Sequence, residues 1–385
     1  MRVLMSNYEF PPIGGGAGQA HLSLLREFAD NPEIVVDVLT SCRGRGLAVE
    51  RFAANITLYK VGIRKGDLHH WRRSEVLEWL LKAPAHYRGL LEANRYDLAH
   101  AFSAFPTGWL CWRARANMPY ILSLLGSDVP GHNARLSLDY KLLGPVFRRI
   151  WKSAAMVVAN SQGLTQRARA FMPDLDIRII YTGVDAARFH PPAVRMPCQH
   201  TRLVTVARLV ATKRIDVLIE AMDLLRQQGL DVSLTIAGGG RLAEPLRQLA
   251  QQRGLDAHVR FLGPVDGDAV PQLYRDSDIF VTSSVREGLS NAMLEAMASG
   301  LPIVTTRCEG VDELIADNGL IVEEPDPRCI ADAVRGLVRD RARYEAMSAA
   351  ARARVERFSW RRTAEAYLDC YRSLPQGAAH DRNDR

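Results

Sequence analysis

No stretch of this sequence approaches the roughly 18 consecutive apolar residues that span a bilayer, so no membrane-crossing helix is expected. Cysteine is sparse: six residues, at 42, 111, 198, 308, 329 and 370, with no C-x-x-C pair. That argues against a disulfide-stapled scaffold or a zinc ribbon and fits reduced thiols in a cytoplasmic setting. Met1 leads straight into an apolar strand, Arg2-Val-Leu-Met-Ser, so no signal peptide is expected. The first glycine-rich loop cannot be read as G-x-G-x-x-G anywhere over 14–21, and no acidic residue closes the strand after it, which weakens a dinucleotide site. No nucleic-acid-binding motif is present.

At 385 residues the chain is too long for one core and implies two domains. Its charge of +7 is uneven. Residues 1–190 carry 24 Lys and Arg against 16 Asp and Glu, giving +8; residues 191–385 carry 26 against 27, giving −1. The first half should therefore face something anionic, with a nucleic acid, an anionic lipid surface and a lipid-linked phosphate acceptor as the classes to weigh.

The most informative stretch is Arg286-Glu-Gly-Leu-Ser-Asn-Ala-Met-Leu-Glu295. The apolar run from Asp278 to Ser283 reads as a buried strand of a parallel sheet. A tight glycine turn follows, then a helix over Asn291–Ser299, stopped by Gly300-Leu301-Pro302. A helix start offers unpaired N–H groups and a positive dipole end, a setting that favours phosphate. The donors would be the amides of Gly288, Leu289, Ser290 and Asn291. Glu287 and Glu295, eight residues apart, frame them; carboxylates repel phosphate, so these two suit neutral hydroxyls of a sugar and a ribose. In this strand-turn-helix context, Glu-x7-Glu followed by A-S-G-L-P-I-V resembles the signature of the retaining glycosyltransferases of family 4, which have the GT-B fold.

The resemblance extends over nearly the whole chain. Arg2–Asn7, the loop Phe10–Gly18, a helix over Gln19–Asp30 and the strand Ile34–Thr40 form a β-loop-α-β unit of a doubly wound sheet. In relatives of this kind the amides of such a loop, here Gly15 and Gly16, approach the donor phosphates. Residues 64–73 (R-K-G-D-L-H-H-W-R-R) and a following helix over Ser74–Asn94, carrying Val76, Leu77, Trp79, Leu80 and Leu81, read either as a solvated loop before a core helix or as a basic amphipathic surface for anionic lipid. His69 and His70 read as surface residues without further ligands. Relatives often carry H-x-H here, with the second His near the reacting sugar; this sequence keeps His100 and has Phe102 at the second position, and on an apolar strand His100 also reads as a core histidine. Asp128, at a strand's carboxyl end, either lines the acceptor site or caps its loop. Ser161 is placed as a helix N-cap.

In the second half, A-R-L-V-A-T-K-R (207–214) is similar to the family's G-R-L-x-x-x-K-G, with Ala207 and Arg214 where glycine is usual. It keeps Arg208 and Lys213, two cations that would stabilise the charge growing on a nucleoside diphosphate leaving group without a metal. Gly239, in the loop after Val232–Ala237, and Val265, just after F-L-G, are further donor-site candidates, Val265 for the nucleobase. The D-x-D pairs Asp174/Asp176 and Asp276/Asp278 read as structural, and no metal or other cofactor is expected. Phe358–Leu374 is expected to form a last helix with Trp360, Ala364, Tyr367 and Tyr371 on one face.

These observations imply an α/β protein of GT-B type, two Rossmann-like doubly wound domains with a cleft between them: an acceptor-binding domain over 1–188, a linker at 189–200, a nucleotide-sugar-binding domain over 201–357, a helix at 358–375 crossing back to the first domain, and a disordered tail at 376–385. The implied function is transfer of a sugar from a nucleotide diphosphate donor, UDP by default, to an acceptor hydroxyl of a carbohydrate or lipid-linked glycan, with anomeric configuration retained. It is expected in the cytoplasm or at its membrane face, with contact to anionic membrane and no nucleic acid as partner. A GDP-mannose-type mannosyltransferase, a nucleotide-sugar 2-epimerase and a non-catalytic nucleotide-sugar binder stay open.

Overall fold

A computed structural model describes residues 1–68, 71–126, 128–130, 137–192 and 200–374. His69, His70, Ser127, Cys198, the linker at 193–199 and the tail from 375 lie outside the described residues. The chain divides into two compact units, Met1–Tyr181 with Trp360–Arg385, and Thr182–Ser359. The first boundary falls earlier than the expected 188, because Val184 already bridges to Ser359 within the second unit.

The first unit is built on strands β1 (Arg2–Ser6), β2 (Val35–Arg43), β3 (Leu47–Ala53), β4 (Ile56–Ile63), β5 (Leu98–Phe102), β6 (Tyr120–Leu124), β7 (Met156–Ala159) and β8 (Ile177–Ile179), with helices α1 (Gly16–Phe28), α2 (Arg73–Ala93), α3 (Thr107–Arg113), α4 (Ser137–Lys152) and α5 (Gln162–Phe171). The strand order is β3-β4-β2-β1-β5-β6-β7-β8, parallel except for the antiparallel β3–β4 pair at one edge. Strands β5 and β6 are buried along their whole length, as a parallel sheet covered on both faces requires. Ser161 caps α5 as expected, its hydroxyl accepting from the Leu164 amide.

Two details differ from the sequence expectation. Helix α1 begins at Gly16 rather than Gln19, so the glycine loop is shorter and Gly16 is already helical. The hydrophobic side chains of α2 do not share one face. Trp79, Ala83, Tyr87 and Leu90 enter the core, whereas Leu77 and Leu81 are 57% and 73% exposed. The helix's rotation is fixed at its start. Lys65, with no exposed side-chain surface, pairs with Glu75 at 2.7 Å and lies over the Trp71 ring, 4.3 Å from its centroid. Burial opposes the charge on Glu75, but amide bonds from Arg72 and Gly66 and the Lys65 ammonium outweigh it and hold the carboxyl down at about 2. Trp71 packs against Tyr8. Half of the basic segment is thereby a built part of the fold rather than a solvated loop.

The second unit has strands β9 (Thr201–Val206), β10 (Val232–Ala237), β11 (Val259–Gly263), β12 (Ile279–Thr282), β13 (Ile303–Thr306) and β14 (Gly319–Val322), all parallel in the order β11-β10-β9-β12-β13-β14. Helices α6 (Ile215–Gln227), α7 (Ala243–Gln252), α8 (Val270–Arg275), α9 (Asn291–Ala298), α10 (Val311–Leu314), α11 (Pro327–Arg339) and α12 (Arg341–Val355) connect or follow them. The order reverses between β9 and β12, and in such sheets ligands gather beyond the carboxyl ends of strands at that switch point.

The last helix, α13 (Trp360–Ser373), packs in the first unit against α1. Ala364, Tyr367 and Tyr371 are buried in that core and Trp360 is half-buried. Tyr371 and Tyr367 reach the β5–β6 region through hydroxyl bonds to His100 and Ser123.

Candidate active site

The carboxyl ends of β9, β12 and β13 carry three turns that interlock. The turn after β9 holds Lys213. After β12 comes Glu287, and after β13 the run Arg307-Cys-Glu-Gly310.

The Lys213 turn is laced to the Glu287 turn by backbone and a buried hydroxyl. Ser283 Oγ donates to the carbonyls of Arg214 (2.6 Å) and Lys213 (3.1 Å), and the Val285 amide donates to Thr212 O (3.0 Å). This arrangement forces Arg214 into the left-handed region, φ 45° and ψ 43°, which accounts for a glycine being the easier residue there. Lys213 then forms an ion pair with Glu287, both side chains less than one-fifth exposed. The expectation gave Glu287 the donor sugar and Lys213 the adjoining pyrophosphate; the structure puts their charges in contact.

The β13 turn closes the other side. Thr306 Oγ1 donates to Ser284 O at 2.7 Å, and the Glu287 amide donates to Glu309 Oε2 at 3.2 Å. Gly310 has φ +77°, and a Cβ there would lie 2.3 Å from Gly288 O, so the two turns touch backbone to backbone. Cys308 sits in the same group; burial and the Glu287 charge push its thiol up to about 12, against the pull of Lys213.

Beyond Glu287, α9 starts with Ser290 as its N-cap, the hydroxyl accepting from the Met293 amide at 3.4 Å. Among the described residues, the amides of Gly288 and Leu289 in the turn and of Ser290 and Asn291 at the start of the helix donate to no other group, the last two as a helix N-terminus dictates. Glu295, two turns on, is half-buried and accepts from Tyr274 Oη at 3.0 Å. Burial raises its carboxyl to about 7, although the Tyr274 bond and the Arg188 charge favour ionisation. Arg188 itself pairs with Asp268 and Gly267 O.

Arg208 is exposed in the turn leaving β9 and, among the described residues, has no ion-pair partner. Its turn lies against the glycine loop after β10: a Cβ on Gly238 would sit 1.9 Å from Ala207 O, and the Gly239 carbonyl accepts from the Leu209 amide at 2.9 Å. Val265 follows β11, half-buried. Asp278 of the D-x-D pair is taken by Arg202, which reaches it through Nε and Nη2 at 3.0 and 2.9 Å.

Four candidates lie in the first unit. His100 is fully buried on β5, its ring nitrogens at 2.7 Å from Tyr371 Oη and Ser123 Oγ. Burial holds it neutral, and with both nitrogens engaged it is a core histidine, not a catalytic one. Asp128 accepts from the amides of Ala104, Leu125 and Gly126 at 2.8–3.0 Å, so its carboxylate staples its own loop. At Gly15 the amide points to the Glu9 carboxylate at 3.4 Å, and Gly16 is the first residue of α1.

Sequence reasoning missed Ser283, Glu309, Tyr274 and Arg188. Each acts through a neighbour distant in the sequence, and none belongs to a local pattern.

Comparison with known proteins follows the same division. Residues 14–188 match the family model described as Glycosyltransferase Family 4, and residues 192–354 match that of Glycosyl transferases group 1. The GDP-mannose-dependent alpha-(1-6)-phosphatidylinositol monomannoside mannosyltransferase of Mycobacterium tuberculosis is 33% identical over 69% of this chain and 72% of its own. The D-inositol 3-phosphate glycosyltransferase 2 of Catenulispora acidiphila is 32% identical over 88% and 80%. Among solved structures, sucrose-phosphate synthase from Thermosynechococcus elongatus superposes with a TM-score of 0.83 at 22% identity, over 97% of this chain and 98% of that one. The Anabaena protein HepE in complex with UDP-glucose gives 0.73 at 19%, over 97% and 100%. These likenesses show the GT-B fold.

Proposed function

This chain belongs to the family 4, group 1 glycosyltransferases, and from that premise we propose that it is a retaining enzyme that moves a sugar from a nucleotide diphosphate donor to an acceptor hydroxyl. The observation that carries this reading is the Lys213–Glu287 ion pair beside four unbonded amides at the start of α9. An ammonium has three protons, so Lys213 can hold Glu287 and still donate to a phosphate oxygen. Glu287 receives sugar hydroxyls, and Glu295 receives those of the ribose. Arg208, free to reorient, joins Lys213 and the 288–291 amides in neutralising the departing diphosphate. In this reading no metal ion is required. Charge stabilisation then supplies most of the acceleration, and the leaving phosphate takes the acceptor's proton on the same face of the sugar.

UDP is the proposed donor nucleotide, supported by HepE, solved with UDP-glucose. GDP-mannose is the rival, supported by the name of the mycobacterial relative. The test is incubation with each sugar nucleotide and assignment of the product anomer by NMR. A product of the donor's own anomeric configuration agrees; an inverted product refutes retention.

A lipid-linked acceptor at an anionic membrane surface is supported by one further feature. Leu77 and Leu81 stand exposed on α2 between the exposed Arg73 and Arg88, in the basic half of the chain. Flotation with phosphatidylglycerol vesicles should fall when both leucines become Gln; equal flotation refutes it.

A further inference from the structure

Glu287 is held from two sides, and only one of them belongs to the proposed donor machinery. Its carboxylate meets Lys213. Its backbone is fixed from the opposite direction by the turn after β13, where Glu309 Oε2 accepts from the Glu287 amide at 3.2 Å. Two more contacts tie the same pair of turns together. Thr306 Oγ1 donates to Ser284 O three residues before Glu287, and Gly310, at φ +77°, lies where any Cβ would collide with Gly288 O. The two glycines and the two hydrogen bonds leave the Glu287 turn little freedom while Glu309 keeps its bond. Without that acceptor, the Glu287 N–H loses a charge-assisted bond, one of the stronger kind. The peptide plane that aims the Glu287 side chain is then free to rotate.

We propose that Glu309 is a positioning residue for the donor sugar: by bonding the Glu287 amide, it sets the direction from which the Glu287 carboxylate meets the sugar hydroxyls. It rests on the donor-site reading above. Glu309 is assigned no contact with the sugar or the phosphates. The four amides at the start of α9, Arg208 and Lys213 lie outside its bond, so its effect falls on the sugar step and not on nucleotide capture.

That division gives the test. Wild type and the variants Glu309→Ala, Glu309→Asp and Glu309→Gln are compared in two assays: binding of UDP and GDP by calorimetry, and release of the nucleoside diphosphate from UDP-glucose and GDP-mannose with water as acceptor. Displacing a reacting group by about an ångström can cost on the order of a hundredfold in rate. Glu309→Ala should therefore lower turnover by roughly ten- to a hundredfold while binding its nucleoside diphosphate within about threefold of wild type. Glu309→Asp is a methylene too short to reach the amide and should behave like Ala. Glu309→Gln keeps a carbonyl acceptor of the same length and should restore turnover to within about threefold.

Wild-type turnover in Glu309→Ala overturns the proposal, as does Glu309→Gln falling as low as Ala, or nucleotide binding lost in parallel with turnover. If Glu309→Ala does not fold, the Asp and Gln variants make the same comparison. A wild-type protein that binds neither nucleotide defeats the donor-site reading itself, an outcome distinct from a working wild type that is indifferent to Glu309.

Discussion

Replacing Glu295 by Gln should make the second unit more stable, and only at neutral to alkaline pH. The carboxyl accepts from Tyr274 at 3.0 Å in a half-buried setting that raises it from an ordinary 4.5 to about 7. The folded state therefore binds this proton more tightly than the unfolded chain. Ionisation costs nothing below about pH 4.5, its cost grows as pH rises towards 7, and it is fully present above that. The displacement corresponds to at most about 3 kcal/mol, and the residue's remaining exposure screens it towards about 1–2 kcal/mol. Gln keeps an oxygen for Tyr274 and has no proton to lose. Urea unfolding of both proteins between pH 5 and 8.5 should give nearly equal stabilities at pH 5 and a Glu295→Gln advantage of about 1–2 kcal/mol at pH 8. A difference that does not change over this range would refute the assigned environment of Glu295. If ribose hydroxyls donate to the ionised carboxylate, donor binding at pH 7 should also release a fraction of a proton, read as a calorimetric enthalpy that depends on the buffer.

Arg208→Ala should lower turnover by roughly two to three powers of ten while barely changing stability, because the side chain is exposed and makes no ion pair among the described residues; full turnover in this variant would remove Arg208 from the site. Arg214→Gly should raise the melting temperature slightly, since relief of a left-handed non-glycine residue is worth about 1 kcal/mol and outweighs the exposed pair with Asp216. In the first unit, burial lowers His21 to about 3 and holds His100 well below 6.5. The unfolded chain then binds protons that the folded one does not, so stability should fall as pH drops below about 6.5, and His21→Phe should flatten that slope.

What the sequence revealed and what it hid divide along a physical line. The strand, turn and helix around Glu287 were legible because their signals are local: a buried apolar run, then Gly288 and Ser290, then a stop at Gly300 and Pro302. The helix was expected over 291–299 and spans Asn291–Ala298. The last helix and its Tyr367 and Tyr371 face were legible for the same reason. Glu309 and Ser283 were not, because their partners are decided by β12 lying between β9 and β13, and no local periodicity encodes strand order. The outward direction of Leu77 and Leu81 was hidden by the Lys65–Glu75 pair that sets the rotation of α2. Asp128 was legible only as two alternatives, since a carboxylate at a strand end serves a ligand or its own loop, and only the three amides around it distinguish them.

The central claim is that the turns carrying Lys213, Glu287 and the α9 start form a nucleoside diphosphate site. It is tested most directly by calorimetric titration of the protein with UDP, GDP and ADP in EDTA, alongside thermal unfolding at saturating nucleotide. The account predicts that one of the three binds, stabilises the protein by about 2.7 kcal/mol at a hundredfold excess over Kd, and loses affinity in Lys213→Ala. Absence of binding by all three, or binding that Lys213→Ala leaves unchanged, would contradict it.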